Sequence, residues 1–263
     1  MRFFRALIFV ASALVCAAFI FPLSLLPETS RYRLCARVTQ AWAKIVLKIF
    51  RITLHERPVF AYEATPRRAR HSPRVIVANH VSYLDIPVLL ARGPCVFVAK
   101  REVADWPIIG WIGKRTGNVF VEREKLFSRA SALLDLQRRL QCGVDIVVFP
   151  EGSTSLEGPR RGLSKFHAGA FRISRMEEAT VEAVYLEYDD PDRCAWLDDK
   201  PFVPHLLALY EPRGVRVNLR SEALRAVADR REQREVREYA RSWLLEGGRN
   251  LRFTTAPAYR PWS

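Results

Sequence analysis

Cysteine is sparse in this chain, and where it occurs it forms no pattern. Cys16, Cys35, Cys95, Cys142 and Cys194 are scattered, odd in number and without a CxxC pair. That arrangement supplies neither a disulfide framework nor a zinc site, and it suits a reducing compartment. His55, His71, His167 and His205 have no partners at ligand spacing, so no metal and no cofactor is expected. Also missing is a GxSxG nucleophile elbow, and no cysteine stands beside a candidate histidine, which argues against a covalent enzyme intermediate. Repeats and low-complexity tracts are absent. Acidic residues are outnumbered, 28 against 42 basic, for a net charge of +14 and a pI near 10.1. Such a balance favours a polyanionic partner, either nucleic acid or an anionic membrane surface. A nucleic-acid binder would interleave its cations with stacking aromatics or carry a recognisable module, and neither is present.

The first 55 residues favour the membrane. "ALIFVASALVCAAFIFPLSLLP", residues 6–27, runs for 22 residues without a charge. As a helix it would reach roughly 33 Å, about one hydrocarbon thickness. Pro22 and Pro27 fall in its second half, so a kinked or re-entrant segment competes with a clean span. A cleaved signal peptide is the other reading, with Arg2 and Arg5 as its basic start. The following segment, 33–54, repeats Val38, Trp42, Ile45, Ile49 and Ile52 on one helical face, while Arg37, Lys44, Lys48 and Arg51 occupy another sector. An apolar face with a basic flank describes a helix in an anionic lipid interface, or an amphipathic helix packed on the domain. Basic loops on both sides of the first segment leave its orientation open.

Residues 56–73, with their prolines and basic residues, read as a connecting segment between this N-terminal pair and a domain over 74–263. Short β-branched runs predict strands at 74–78, 95–99, 118–122, 145–150, 181–188 and 215–219. Helical patterns fall at 84–92, 103–113, 125–141, 166–176 and 222–246. Apolar runs without alternation mark strands covered on both faces, and the strand–helix alternation predicts an α/β fold: a mostly parallel central sheet flanked by helices.

Chemistry-bearing residues gather where those strands stop. His80 follows the first strand by two positions, and Asp85 lies five further on. Five residues apart on one helix, the two would sit about 140° from each other. With His80 in the turn and Asp85 in the first helical turn they can meet, and an imidazole oriented by a carboxylate is a general base for a hydroxyl. Lys100 and Arg123 stand just beyond two more strands, and Glu151-Gly152 beyond "DIVVFP", where glycine allows close backbone approach to a ligand. Ligands of open α/β sheets bind outside the carboxyl ends of the strands. Four such ends offer a base, its orienting acid, a hydroxyl-binding carboxylate and two cations.

These blocks resemble the glycerolipid acyltransferase family, which includes the bacterial lysophosphatidic acid acyltransferases. "NHVSYLD" (79–85) matches its HxxxxD block, "GNVFVER" (117–123) its second block and "FPEG" (149–152) its third, in the family's order. "AKREVADWPIIGWIG" (99–113) is similar to the segment between the first two blocks, and "KFHAGAFRIS" (165–174) to the helix after the third. The match covers 75–190, and the N-terminal helical pair looks like the family's membrane anchor. The resemblance implies that His80, oriented by Asp85, deprotonates a lysolipid hydroxyl, which attacks the thioester of acyl-CoA or acyl-carrier protein. Glu151, Gly152, Ser153 and Thr154 would hold the acceptor's headgroup, Lys100 and Arg123 would attract its phosphate, and Asn79 would steady the turn. The implied acceptor is 1-acyl-sn-glycerol-3-phosphate, converted to phosphatidic acid in phospholipid biosynthesis. The implied location is the inner membrane, with the catalytic domain on the cytoplasmic side.

Two departures bear on the acceptor. Thr154 stands where the family's third block usually carries an arginine, and a long loop, 155–166, follows it. Either Arg160, Arg161 or Lys165 folds back to supply that charge, or the acceptor carries no phosphate there. A hydroxyl residue at this place resembles acyltransferases of lyso-ornithine lipid, the alternative acceptor. The expected fourth block, "VEAVYLEY" (181–188), lacks the family's proline. From a different class, a non-catalytic adaptor for anionic membranes would bind vesicles salt-dependently with no need of His80.

Overall fold

A computed structural model describes residues 2–58, 73–122, 124–152, 154, 166–196, 202–210, 213–224 and 227–248. Its centre is a seven-stranded sheet: β1 (Ile52–Pro58), β2 (Arg74–Ala78), β3 (Cys95–Lys100), β4 (Val119–Val121), β5 (Asp145–Val148), β6 (Thr180–Tyr188) and β7 (Val215–Leu224). The spatial order is β1-β7-β6-β2-β5-β3-β4. The five strands from β6 to β4 run parallel, and β7 pairs antiparallel with β6, with β1 parallel to β7. The mostly parallel sheet expected from the β-branched runs is therefore present.

Double-sided burial explains those runs. On β2, Val75 and Val77 enter one cluster with α5 (Leu126–Gln141), α6 (Gly169–Glu177) and α9 (Arg230–Leu245). Ile76 and Ala78 enter the opposite cluster, with α2 (Glu28–Ile49), α3 (Asp85–Arg92), α7 (Pro191–Cys194) and α8 (Phe202–Ala208). Successive side chains of a strand point to opposite faces, so a strand covered twice can carry no polar alternation. At the far end of the sheet from the motif residues, buried Glu182 pairs with Arg74 (2.7 Å) and with Arg92 (2.8 Å), and Arg74 also meets Asp145 (2.6 Å).

The N-terminal segment forms a helical hairpin. α1 (Arg2–Leu23) carries Pro22 in its last turn, and the chain turns over residues 24–27, with Pro27 just ahead of α2, so the uncharged run 6–27 forms one helix and the turn of the hairpin. Residues 3–23 are long and apolar enough to cross a bilayer, and 17% of the most apolar window is buried. Trp42 Nε1 donates to Ser12 Oγ at 3.1 Å, and Cys16 and Ile20 pack with Cys35 and with Ile112 of α4 (Ile109–Thr116). On α2 the buried stripe is Tyr32, Cys35, Ala36, Thr39, Ala43 and Val46. The face expected to bind lipid is thus only partly free: Val38 and Trp42 pack on α1, while Ile45 is 49% exposed beside exposed Lys44 and Lys48.

Three further expectations are corrected. Ile52 does not extend α2: Arg51 turns left-handed (φ 54°), and the chain leaves the helix to form β1, so the boundary at 55/56 cuts through a strand. The helix expected over 103–113 divides into a 3-10 turn at Arg101–Asp105 and α4, with Pro107 between them. The helix expected from 222 starts at Arg230, because β7 continues its pairing with β6 to Leu224 and the Asp229 side chain then caps the N–H groups of Arg231 and Glu232. The connecting segment lies outside the described residues from 59 to 72.

Asn79 ties the turn after β2 to the sheet. Its side-chain Nδ2 donates to Leu186 O (2.9 Å) and its Oδ1 accepts from Leu186 N (2.8 Å), extending the β2–β6 ladder with a side chain. Asn79→Ala should leave both buried main-chain groups unpaired and cost about 2–4 kcal/mol, readable as a lowered unfolding midpoint in detergent.

Candidate active site

Parallel β2, β5, β3 and β4 are consecutive neighbours, so their carboxyl ends share one rim. His80 follows β2, Glu151 and Gly152 follow β5, and Lys100 ends β3. The sheet therefore gathers these residues from positions up to 72 apart in sequence. Arg123 and Ser153 lie outside the described residues, as do Arg160, Arg161 and Lys165.

The spacing of His80 and Asp85 is explained by the turn between them. His80 Nδ1 lies 2.7 Å from Asp85 Oδ2, which also accepts from Val81 N (2.8 Å) and Ser82 N (3.0 Å). The chain wraps around the carboxylate, and the first turn of α3 places its partly positive end there as well. Asp85 is fully buried, while the His80 side chain keeps 19% of its surface exposed. With Nδ1 committed to a carboxylate, Nε2 is the nitrogen left to meet a ligand. The ring also stacks on Phe149, at the end of β5, with centroids 3.9 Å apart and planes 11° off parallel.

His80 opens onto a cavity of about 1250 Å³, its open mouth included. Lys100, Gly152 and Thr154 line it together with a mostly apolar wall, from Phe9 of α1, Val46 of α2 and Phe50 just after it to Trp106 and Phe202. Gly152 takes φ +85° as its N–H closes a turn onto Phe149 O (3.1 Å), a backbone state that glycine adopts without strain. Glu151, the residue before it, is buried (7% exposed) and is not among the described residues lining the cavity. His167 is exposed, and its backbone N–H donates to Pro150 O (2.9 Å), so it braces the turn through the main chain. Among the described residues no His, Cys, Asp or Glu cluster could hold a metal ion.

Two contributors were not foreseen. Phe149 is visible only as the apolar residue before Pro150, and nothing local marks it as the floor of an imidazole. Tyr188, the last residue of β6, donates its hydroxyl to Asp85 Oδ1 at 2.5 Å across a sequence separation of 103. Burial and the adjacent carboxylate hold its phenol well above the ordinary tyrosine range, so it remains a donor.

Comparison with known proteins agrees with this arrangement. The Acyltransferase family matches residues 60–187. A lyso-ornithine lipid O-acyltransferase of Rhodobacter capsulatus is 38% identical over 138 residues, 50% of this chain and 49% of that protein. A Pseudomonas aeruginosa protein of the same description is 35% identical over 145 residues, covering 52% and 54%. A 1-acyl-sn-glycerol-3-phosphate acyltransferase of Neisseria gonorrhoeae is 36% identical over 116 residues, 44% of each chain. The matched stretch thus spans about half the length of these curated relatives. The crystal structure of the 1-acyl-sn-glycerophosphate acyltransferase PlsC from Thermotoga maritima shares the fold, with TM-score 0.60, 19% identity and coverage of 94% and 96%.

Removing the ring beneath the imidazole gives a direct check. Phe149→Ala should free the imidazole from its stacked plane, readable as a shifted or broadened His80 ring signal in ¹³C-histidine NMR, and an unchanged signal would show that the stacking does not hold the ring. By its motif blocks, the family match over residues 60–187 and the shared architecture, this chain resembles the glycerolipid acyltransferases.

Proposed function

We propose that the protein is a membrane-associated O-acyltransferase that moves a fatty acyl group from acyl-CoA or acyl-carrier protein to the free hydroxyl of a lysolipid. One observation carries this reading: a His80–Asp85 pair whose second ring nitrogen has no partner among the described residues lines a largely apolar cavity. Nε2 accepts the hydroxyl proton as the oxygen attacks the thioester carbonyl. The tetrahedral adduct then collapses, the C–S bond breaks, and the thiolate leaves with the proton from the imidazolium. Asp85 fixes the tautomer and stabilises the transient cation. The apolar wall takes an acyl chain, which supplies the binding energy that brings the reacting groups together. No cofactor or metal is required by this route.

The polar rim receives the headgroup. Lys100 and Arg123 attract anionic oxygens, while Gly152, Ser153 and Thr154 give close approach and hydroxyl contacts. Glu151 joins them in holding the polar headgroup. Two acceptors fit this rim. The cations favour 1-acyl-sn-glycerol-3-phosphate, giving phosphatidic acid. Thr154, in place of an arginine, and the descriptions of the Rhodobacter and Pseudomonas relatives favour lyso-ornithine lipid. Exposed Phe3, Phe4 and Leu7 on α1, with Ile45, Lys44 and Lys48 on α2, support docking to an anionic bilayer, here assigned to the cytoplasmic side of the inner membrane.

The test is acyl transfer by the full-length protein in detergent, offering each lysolipid with each thioester. His80→Ala should lower kcat by about 10²–10⁴-fold while vesicle binding persists. Full activity of that variant would overturn the mechanism, and a protein that binds vesicles but acylates neither acceptor would point to an adaptor.

A further inference from the structure

Asp85 accepts four hydrogen bonds, and only one comes from His80. Oδ2 takes His80 and the N–H groups of Val81 and Ser82, whereas Oδ1 faces β6 and takes the Tyr188 hydroxyl. Both members of that second contact are buried: Asp85 is 0% and Tyr188 4% exposed. A hydroxyl that donates to a buried carboxylate oxygen makes a charge-assisted hydrogen bond. Tyr188 does not line the cavity, so it has no contact with a bound ligand there.

We infer that Tyr188 is a positioning residue for the acyl transfer proposed above, acting through Asp85 to fix the plane of the carboxylate and to set how strongly it holds a proton on His80. The inference rests on His80 being the base. Its direction follows from charge. A carboxylate that shares its charge with a hydroxyl donor stabilises an imidazolium less than one left to the imidazole alone. Removing the hydroxyl therefore keeps His80 protonated to higher pH, where it cannot accept the acceptor's proton.

His205, on α8, is the second imidazole nearby, its Nδ1 2.9 Å from the Tyr83 hydroxyl, and the His80→Ala assignment tells the His80 signal from it. Tyr83, from the turn after His80, and Cys194, from α7, act on the same site. Burial holds the Tyr83 phenol above its ordinary range and pushes the Cys194 thiol up to about 12. Neither ionises where an imidazole titrates. Arg193, Asp189 and Asp190 flank Cys194, and among the described residues Lys100 and Glu151 are charged groups at the neighbouring strand ends. The Tyr188 substitution leaves all of these in place.

The test compares kcat against pH for the full-length protein and for Tyr188→Phe, with one lysolipid and one thioester. ¹³C-histidine NMR runs in parallel, and His80→Ala assigns the signal. The acid limb and the His80 midpoint should both move up by about half a pH unit or more, lowering the rate about 3-fold below the limb while the alkaline plateau is retained. Tyr188→3-fluorotyrosine keeps the ring's shape and strengthens the donor, so it should move both in the opposite direction. Because this variant preserves packing, it decides the matter if the phenylalanine variant fails to fold. An unmoved limb and an unmoved His80 signal, with or without a uniform loss of rate, would make Tyr188 merely structural and overturn the inference. A His80 signal that moves in a protein lacking acyl transfer would uphold the coupling and overturn the enzymatic reading instead.

Discussion

One buried carboxylate organises the functional end of this protein. Asp85 is fully inaccessible, and an ionised carboxylate in such a place is tolerated only when its oxygens are satisfied. Here the satisfaction comes from three elements at once: the turn after β2 gives two backbone N–H groups and an imidazole, α3 gives its partly positive end, and β6 gives a phenol. The same contacts that stabilise the carboxylate therefore fix where His80 points. Removing the carboxylate would release the imidazole and leave the turn's donors unpaired, so the stability of the turn and the orientation of His80 share a set of bonds.

The rest of the fold supplies what that carboxylate needs. Parallel strands bring β5 beside β2, which sets Phe149 under the imidazole and Gly152 at the rim. Asn79 locks the turn to β6, the strand that also delivers Tyr188. The N-terminal hairpin is joined to the same site, because Phe9, Trp42, Val46 and Phe50 form part of the cavity wall. The helix pair carries exposed apolar side chains and also lines the cavity, which under the proposed function would bring a bilayer and the reacting groups close together. That placement suits an acceptor that is itself a lipid.

Much of this was legible in the sequence because its causes are local. Strands buried on both faces leave continuous runs of valine and isoleucine, so β2, β3, β5 and β6 could be placed, and their parallel order brings the end-of-strand residues together. What escaped reading was decided at a distance or by a single dihedral angle. Ile52 continued the helical spacing of α2, and only the left-handed turn at Arg51, a residue that carries no glycine-like signal, converts the next residues into β1. The charged stretch after 222 reads as helix throughout, yet pairing with β6 holds it extended to Leu224. Tyr188 looked like one more apolar position in a buried strand, since its partner lies 103 residues earlier. Local pattern reports periodicity and turns; it is silent about which side chain meets which across a sheet.

The central claim is that His80 and Asp85 act as one unit, the carboxylate having no role in catalysis apart from the imidazole it holds. A double-mutant cycle on acyl transfer tests this most directly, using His80→Ala, Asp85→Asn and the combination, each confirmed as folded. The account predicts that the double variant is no slower than His80→Ala alone, because Asp85 has nothing left to orient. Losses that multiply in the double variant would show two independent contributions and contradict it.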